Sequence, residues 1–376
     1  IKMKSCRWEL FRYSLPLKEP LRMLGNESKE RNGLILRLSE ESAENSKAEN
    51  FDEGEIAPLP GLHPESLSEA ESQIREYFSG NFNPTPRSDT LFPSVRFGLD
   101  MALRTMLQSC KVSELNSFKE TAGKDYRHSK SDLAVQQIPV NGLLTASGNK
   151  LEQECEQLRN TGFKAIKIKV GRLSVQDDIE RVKLARKILA DDISLRLDAN
   201  RSWDWKEALQ FAKAIKDCRI EYCEEPLRDF QRMEELHEQT GIPLALDETL
   251  WNNPNPETLA KNGIRALILK PGILGGWEST KFWVDFAEKQ EMKVVISSSF
   301  ESGLGLNWLA FMAANLLKQQ IPAGLDTAKW FKQDLIDPPF TLTNGNYVFP
   351  ESWPRANLKH LQKIADGSWI VRIADV

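Results

Sequence analysis

A regular alternation of short apolar strands with helical stretches, running from Pro139 onward, constrains the fold of this chain more than any other feature. Successive strands end at polar side chains roughly 23 to 29 residues apart, which is about the length of one strand and one helix. These strand-ending residues are Lys169, Asp198, Glu224, Asp247, Lys270 and Ser297. Further strands near Gly142 and Leu325 bring the number to eight. The pattern predicts an α/β fold, a (β/α) barrel of the TIM type.

A doubly wound parallel sheet is the main alternative for such a rhythm. It is disfavoured because no Gly-x-Gly-x-x-Gly turn follows any of the strands. In a barrel, catalytic groups lie at the carboxyl ends of the strands, where the polar residues of this chain occur.

The barrel region is flanked by segments of different character. We predict an N-terminal α+β region at residues 1–136, the barrel at 137–335 and a C-terminal tail at 336–376. Expected features outside the barrel are strands at 8–13 and 33–38 joined by a polar connection at 25–32, an exposed hairpin tip at 40–53, a Pro/Gly turn ending the segment 54–61, helices at 64–78 and 94–109, and a hairpin in the tail around 343–346.

The composition excludes several classes of partner. A net charge of −4 provides no basic surface for nucleic acid, and no apolar run approaches the roughly 20 residues that cross a membrane. The first residues do not resemble a signal peptide. The 5 cysteines are scattered, which argues against disulfides and a zinc site and favours the cytoplasm. We expect a small-molecule substrate and no nucleic-acid or membrane partner, whereas the sequence does not determine the oligomeric state.

Strand periodicity predicts which side chains point into the barrel. Side chains two positions apart share a face, so Lys167 and Lys169 lie together, opposite the aliphatic residues that must contact the outer helices. The same reasoning predicts that further side chains point into the barrel, namely those of Arg196, Asp198, Asn200, Ala245, Asp247 and Lys270. The strand at 221–226 alternates less regularly, and Glu224 is placed inward by analogy with its neighbours.

The barrel mouth would therefore hold the carboxylates of Asp198, Glu224 and Asp247 among lysines. One explanation is a network of structural ion pairs. The whole set, with each member at a different strand end, favours a metal site, because buried charges are costly unless they are paired or bind a cation. Three carboxylates without histidine or cysteine suit a hard cation such as Mg²⁺, and the sequence does not distinguish it from Mn²⁺.

The lysines suggest proton transfer next to a substrate carboxylate. Removal of that proton creates an enediolate, whose charge a cation can stabilise. A lysine can be the base if its pKa is depressed, and Lys167 together with a metal would depress the pKa of Lys169. Lys270 would act from the opposite side of the barrel as a second acid–base group or as a cation. Enzymes that combine a lysine base with bound Mg²⁺ are a known example of this scheme.

Six motifs follow one another along the barrel region: Lys-Ile-Lys-Val-Gly (167–171), Leu-Asp-Ala-Asn-Arg-Ser-Trp (197–203), Glu-Glu-Pro (224–226), Leu-Asp-Glu-Thr (246–249), Leu-Lys-Pro (269–271) and Ser-Ser-Ser-Phe-Glu-Ser-Gly-Leu-Gly (297–305). They resemble those of the enolase superfamily, muconate-lactonizing subgroup, and most closely its o-succinylbenzoate synthase family of menaquinone biosynthesis. Residues 31–34 and 54–61 resemble the family's capping domain, and residues 323–327 its eighth barrel strand. The resemblance implies an α+β cap built from the N-terminal region and the C-terminal tail.

This resemblance also implies a role for each matching residue. Asp198, Glu224 and Asp247 would bind Mg²⁺, and Lys169 would abstract the α-proton and assist departure of hydroxide in a syn elimination. Lys270 would stabilise the intermediate from the opposite face. Residues expected to contact substrate are Lys167 and Asn200 at the ring carboxylate, Ser297, Ser299 and the backbone around Gly275 at the succinyl arm, and the inward-facing Arg196. The substrate would be 2-succinyl-6-hydroxy-2,4-cyclohexadiene-1-carboxylate.

Other functions compatible with these motifs are N-succinylamino acid racemase and muconate cycloisomerase. A dipeptide epimerase is disfavoured because Asp326-Thr-Ala lacks the second aspartate of an Asp-x-Asp motif. A non-catalytic binding barrel would be expected to lack some of the ligands or lysines, and a serine nucleophile at Ser297 lacks a Gly-x-Ser-x-Gly elbow. One departure from the family pattern is Leu62-His63 after the Pro-Gly turn, where we expect His63 to lie on the surface.

Overall fold

The computed structural model describes residues 3–23, 25–40, 51–80, 89–109, 136–189, 191–251 and 255–372. The strands are β1 Met3–Met23, β2 Asn26–Glu40, β3 Phe51–Ile56, β4 Gln137–Pro139, β5 Gly142–Leu144, β6 Ala165–Lys169, β7 Ser194–Asp198, β8 Ile220–Glu224, β9 Leu244–Leu246, β10 Ile264–Leu269, β11 Lys293–Ile296, β12 Leu342–Thr343, β13 Asn346–Val348 and β14 Gln362–Arg372. The α-helices are α1 Leu67–Ser79, α2 Pro93–Ser109, α3 Leu151–Asn160, α4 Val175–Ile188, α5 Trp205–Ala214, α6 Met233–Thr240, α7 Glu248–Trp251, α8 Pro271–Leu274, α9 Trp277–Lys289 and α10 Gly303–Leu316.

Strands β5 to β11 form a parallel sheet in sequence order, with helices in the connections between them. The ring closes through a short segment at residues 323–324. Ala323 bridges Val140 on one side, and Gly324 bridges Ser297 on the other. The predicted (β/α) barrel is confirmed, and its eighth position is occupied by this bridging segment beside the predicted Leu325.

The two faces of the barrel sheet differ as the strand periodicity predicted. Small and aliphatic side chains, including Ala245 and Ala266, fill the lumen together with Tyr222. The alternate residues, such as Leu244 and Leu267, belong to the larger core beneath the outer helices. The charged residues at the strand ends therefore lie above a packed lumen, on the same face of the sheet as the lumen side chains.

The irregular alternation at the strand 221–226 has a structural cause. The pairing of β7 with β8 shifts between Leu195 and Arg196, so that Arg196 aligns with Tyr222 and Asp198 with Glu224. Glu221 falls at this irregularity and forms an ion pair with Arg196 at 2.7 Å. The shift restores the inward direction of Glu224, as we expected from neighbouring strands.

The N-terminal region forms an antiparallel sheet in the order β14-β1-β2-β3, with α1 and α2 packed on one face. The last strand, β14, returns from the C-terminal tail to pair with β1.

The expected polar connection at 25–32 is wrong. Strand β2 begins at Asn26, because the β1–β2 ladder continues past the apolar part of the hairpin. The expected hairpin tip at 40–53 is wrong at both of its ends, because Glu40 is the last residue of β2 and residues 51–53 begin β3. Residues 41–50 lie outside the described ones.

Short sequence motifs account for the start of α1 and for the turn between β12 and β13. Helix α1 begins after Ser66, whose side chain forms a capping box with Glu69. The predicted hairpin around 343–346 is confirmed, with Asn344 and Gly345 in left-handed conformations between β12 and β13. Among the described residues, no helix has the length and apolar character required to cross a membrane.

The cap is joined to the barrel by side chains that bind helix ends. Glu55 of β3 accepts hydrogen bonds from the backbone of Ser302 and Gly305 at the start of α10. Asp100 of α2 accepts one from the backbone of Trp277 at the start of α9. Carboxylates are favourable at helix N-termini, where N–H groups lack partners within the helix. These contacts fix the cap over the carboxyl ends of the strands.

Candidate active site

The predicted charged residues meet at the mouth of the barrel. Asp198 and Glu224 are the last residues of β7 and β8, and Asp247 follows β9 directly. All three carboxylates are buried. Lys169 ends β6, and Lys270 follows β10. Each side chain is placed by the carboxyl end of its strand, so the ring geometry itself brings the five residues together.

Two lysines from β6 share the first carboxylate. The ammonium groups of Lys167 and Lys169 lie 2.7 and 2.5 Å from Oδ2 of Asp198. Lys167 also lies 2.7 Å from Oε2 of Glu224, and Lys169 donates to Oδ1 of Asn200 at 2.8 Å. Lys167 is therefore held between two acidic side chains, while Lys169 stands closer to the opening, with 26% of its side chain exposed.

Lys270 has a separate environment across the barrel. Its ammonium group is paired with Asp247 and lies 5.0 Å from the centroid of the Trp251 ring. A cation over an indole face is favourable, most of all where water is excluded. Its position is therefore determined by one carboxylate and one aromatic ring.

The electrostatic environment distinguishes the lysines. Burial and the positive charge of Lys167 lower the pKa of Lys169 despite the neighbouring Asp198. For Lys167, the effect of burial is exceeded by Asp198 and Glu224, which raise its pKa. Burial likewise lowers and Asp247 raises the pKa of Lys270, and the net direction is upward. Of the three, Lys169 is the one best suited to lose a proton, while the other two remain cations.

Two of the acidic side chains have carboxylate oxygens that accept no hydrogen bond among the described residues. Among the described residues, Oε1 of Glu224 and Oδ1 of Asp247 are buried without a hydrogen-bond partner. Burial, followed by the charge of Asp198, raises the pKa of Glu224 well above its ordinary value. Buried carboxylate oxygens without donors are expected where a cation belongs. The residues therefore fit a hard divalent cation chemically, although in the described part of the chain no three acidic, histidine or cysteine side chains are already arranged around one metal position.

Asn200 links Lys169 to a fourth acidic residue. Its amide nitrogen donates to Oε1 of Glu248 at 2.9 Å while its amide oxygen accepts from Lys169. Burial and the charge of Asp247 raise the pKa of Glu248 to about 7. The sequence motifs predict a role for Asn200 but not for Glu248, although the position of Glu248 directly after the predicted metal ligand Asp247 is a usable signal.

Arg196 is the clearest correction to the predicted site. Its side chain is fully buried, and its guanidinium binds Glu221, Oδ1 of Asn141 and the carbonyl oxygen of Pro322. The expected contact with substrate is therefore wrong. Strand periodicity predicts the face of the sheet on which a side chain lies, but not its distance from the barrel mouth. Arg196 lies one inward position below Asp198, within the packed lumen.

Three residues predicted to lie at the succinyl arm of the substrate contact other protein groups in this structure, namely Ser297, Ser299 and Gly275. The Ser299 hydroxyl donates to Oε1 of Glu301 at 2.5 Å, and that of Ser297 to the carbonyl oxygen of Gly324 at 3.4 Å. Gly275 has a φ of +92°, and a side chain there would collide with Arg96 of the cap. Their contacts with substrate stay predictions.

His63 is buried, contrary to the expected surface position. Its Nδ1 accepts from the backbone N–H of Leu59, and Nε2 lies 3.1 Å from the carbonyl oxygen of Gly272. The side chain therefore connects the cap's Pro/Gly turn to α8, directly after Lys270. Gly272 is distant in sequence, so local patterns could not predict this burial.

Comparisons with known proteins agree with this arrangement. A family described as "Enolase C-terminal domain-like" matches residues 150–353, and one described as "MenC, N-terminal domain" matches residues 5–106. An o-succinylbenzoate synthase from Pectobacterium atrosepticum is 33% identical over 330 residues, which cover 87% of this chain and 92% of that protein. Protein PHYLLO of Arabidopsis thaliana is 31% identical over 354 residues, 81% of this chain, which spans only 20% of that longer protein.

Solved structures share the fold at lower identity. An N-succinyl Arg/Lys racemase from Bacillus cereus superposes with a TM-score of 0.76 at 18% identity, covering 99% of this chain and 100% of that one. A dipeptide epimerase from Enterococcus faecalis, in complex with Mg and L-Leu-L-Tyr, gives 0.75 at 20% identity, covering 96% and 99%. The family matches and the relatives establish the lineage: the chain belongs to the enolase superfamily.

Proposed function

We propose that the chain is an o-succinylbenzoate synthase, which dehydrates 2-succinyl-6-hydroxy-2,4-cyclohexadiene-1-carboxylate to 2-succinylbenzoate with the help of Mg²⁺. The observation that carries the proposal is the placement of Lys169 and Lys270 on opposite sides of a mouth that also holds three buried carboxylates. The synthase relatives, which match over most of their length, support this choice of substrate.

In this proposal Lys169 is the base. Its lowered pKa and partial exposure suit removal of the proton on the carbon next to the ring carboxylate. The protonated lysine then gives its proton to the departing hydroxyl group on the same face. The C–O bond breaks, water leaves, and the ring becomes aromatic.

Lys270 and Lys167 would act as cations. Lys270 keeps its proton because Asp247 raises its pKa, so it would stabilise negative charge on the face opposite Lys169. Lys167 and Asn200 would orient the ring carboxylate beside the base. Cations already in place when charge develops are effective because little reorganisation is needed.

Asp198, Glu224 and Asp247 would hold the metal ion. The unpartnered oxygens of Glu224 and Asp247 support this assignment, as does the lack of histidine or sulfur donors among the predicted ligands. A bound Mg²⁺ or Mn²⁺ supplies positive charge that offsets the charge developing on the substrate carboxylate.

Racemisation of N-succinylamino acids is the second candidate. It needs a base and an acid on opposite faces of the α-carbon, a requirement that the separation of Lys169 and Lys270 also satisfies. The solved racemase with this fold favours the possibility only at the level of fold, because its identity is 18%.

One experiment separates the two activities. The purified protein with Mg²⁺ is given the cyclohexadiene substrate and, separately, N-succinylamino acids in deuterated water, and both are followed by NMR. The proposal predicts rapid formation of the aromatic product and slower or no exchange in the amino acids. Rapid exchange with racemisation, without any aromatic product, would replace it by the racemase assignment.

A further inference from the structure

Glu225, the residue after the predicted ligand Glu224, is buried completely. Its Oε1 accepts from the backbone N–H groups of Asp247 at 3.0 Å and Thr249 at 2.7 Å. Its Oε2 accepts from the Thr249 hydroxyl at 3.0 Å and from Nε of Arg201 at 2.9 Å. One carboxylate thus accepts four hydrogen bonds from the segments that follow β7 and β9.

The same residues also connect through their backbones. The N–H of Arg201 donates to the carbonyl oxygen of Glu225 at 2.7 Å, and the N–H of Glu225 donates to that of Ala245 at 3.0 Å. The Arg201 side chain closes the network with a hydrogen bond to Thr249 at 2.6 Å. The ends of β7, β8 and β9 are therefore tied together immediately beyond the three carboxylates that they carry.

Backbone strain occurs at the same place. Asn200, Arg201 and Glu225 have φ values of 45°, 58° and 42°, in the left-handed region that non-glycine residues rarely adopt. Such conformations persist where surrounding contacts enforce them, and they concentrate at functional sites. For Arg201 and Glu225, the hydrogen bonds between these two residues supply such contacts.

We propose that Glu225 is a positioning residue for the metal site, holding Asp198, Glu224 and Asp247 in register through Arg201 and the backbone of Asp247. This inference rests on the proposed function in requiring that the carboxylates bind a cation. Partners outside the direct coordination shell commonly change metal affinity by roughly 10- to 100-fold when they are removed. Asp247 depends most on Glu225, because its own backbone N–H is one of the four donors.

Glu221 offers a matched control on the same strand. It too forms an ion pair with an arginine, Arg196, and a second one with Lys293 at 2.7 Å. Although Arg196 lies one inward position below Asp198, its hydrogen bonds go to Glu221, Asn141 and Pro322 and not to the strand-end carboxylates. Loss of Glu221 should therefore reduce stability without altering the metal site.

The test measures Mn²⁺ affinity of the metal-free full-length chain by electron paramagnetic resonance, alongside thermal unfolding without metal. We expect Glu225→Ala to weaken Mn²⁺ binding roughly 10- to 100-fold, and Glu221→Ala to leave it within about twofold of wild type. Equal affinities in the two variants, or a lower melting temperature in Glu225→Ala with unchanged affinity, would overturn the inference.

Two milder variants serve if Glu225→Ala does not fold. Glu225→Gln keeps an acceptor for the backbone N–H groups but loses the charge opposite Arg201, and Thr249→Val removes one hydroxyl donor with little change in shape. At least threefold weaker Mn²⁺ binding is expected in Glu225→Gln, with a smaller change in Thr249→Val. Wild-type affinity in both variants would reject the role of Glu225. Failure of the wild-type chain to bind Mn²⁺ would instead refute the proposed metal site, and the inference with it.

Discussion

Lys169 and Lys270 stand on opposite sides of the barrel, since β7, β8 and β9 separate the strands β6 and β10 that carry them. Each ammonium group contacts a different predicted metal ligand, Asp198 for Lys169 and Asp247 for Lys270. A substrate bound between them would meet a lysine on each face, next to the carboxylates.

Replacement of Lys169 by alanine should abolish turnover, because no other described lysine combines a lowered pKa with this position. General-base catalysis contributes about 10²- to 10⁴-fold, so kcat should fall by at least that factor. Steady-state kinetics measures the loss. Lys164→Ala, at an exposed lysine before the same strand, is the control and should retain full activity. Retention of activity in Lys169→Ala would eliminate the proposed base.

Trp251 should matter through its contact with Lys270. Trp251→Leu removes the aromatic face, whose interaction with a buried cation contributes about 1–2 kcal/mol, so we expect kcat to fall roughly 5- to 30-fold. Trp251→Phe keeps a weaker aromatic face and should lose less. Kinetics of both variants decides the matter, and identical losses in the two would show that the cation–π contact is unimportant.

The Glu55 contacts should stabilise the docking of the cap. Glu55→Ala leaves buried N–H donors of Ser302 and Gly305 without a partner, at an expected cost of roughly 3 kcal/mol or more in the free energy of unfolding. Tyr13→Phe removes only one donor to the same carboxylate and should cost about 1 kcal/mol. Urea unfolding measures both values. A loss in Glu55→Ala no larger than in Tyr13→Phe would contradict this role.

His63 should make stability dependent on pH. Burial lowers its pKa from 6.5 to about 4, so between these values the unfolded chain binds more protons than the folded one. The stability contributed by neutral His63 is present above pH 6.5 and is lost as the pH falls to about 4. Thermal unfolding of wild type and His63→Asn over this range should show a shallower decline in the variant. Parallel curves would argue against a buried neutral imidazole.

The sequence predicts most of the barrel mouth for a simple reason. Parallel strands in a closed ring place their ends together, so alternation along each strand is enough to bring Lys169, Asp198 and Asp247 to one site. The alternation does not predict how far below the barrel mouth a side chain lies, or which residues distant in sequence it contacts. Arg196 has the same orientation as Asp198 but lies below it, and the burial of His63 depends on Gly272, which is far away in sequence.

The role of Glu225 shows the same limit. Two consecutive glutamates alternate in direction along a strand, which predicts that only one faces the lumen. The partners of the other, Arg201 and Thr249, come from neighbouring strand ends and depend on strained backbone that no local pattern reveals.

Formation of 2-succinylbenzoate from the cyclohexadiene substrate tests the central claim most directly. It is followed by absorbance with added Mg²⁺, after excess chelator, and after Mg²⁺ is restored. The proposed site predicts turnover with the metal, its loss on chelation and its recovery on re-addition. Absence of the aromatic product from a folded, metal-supplied protein, or turnover that chelation does not affect, would contradict the account.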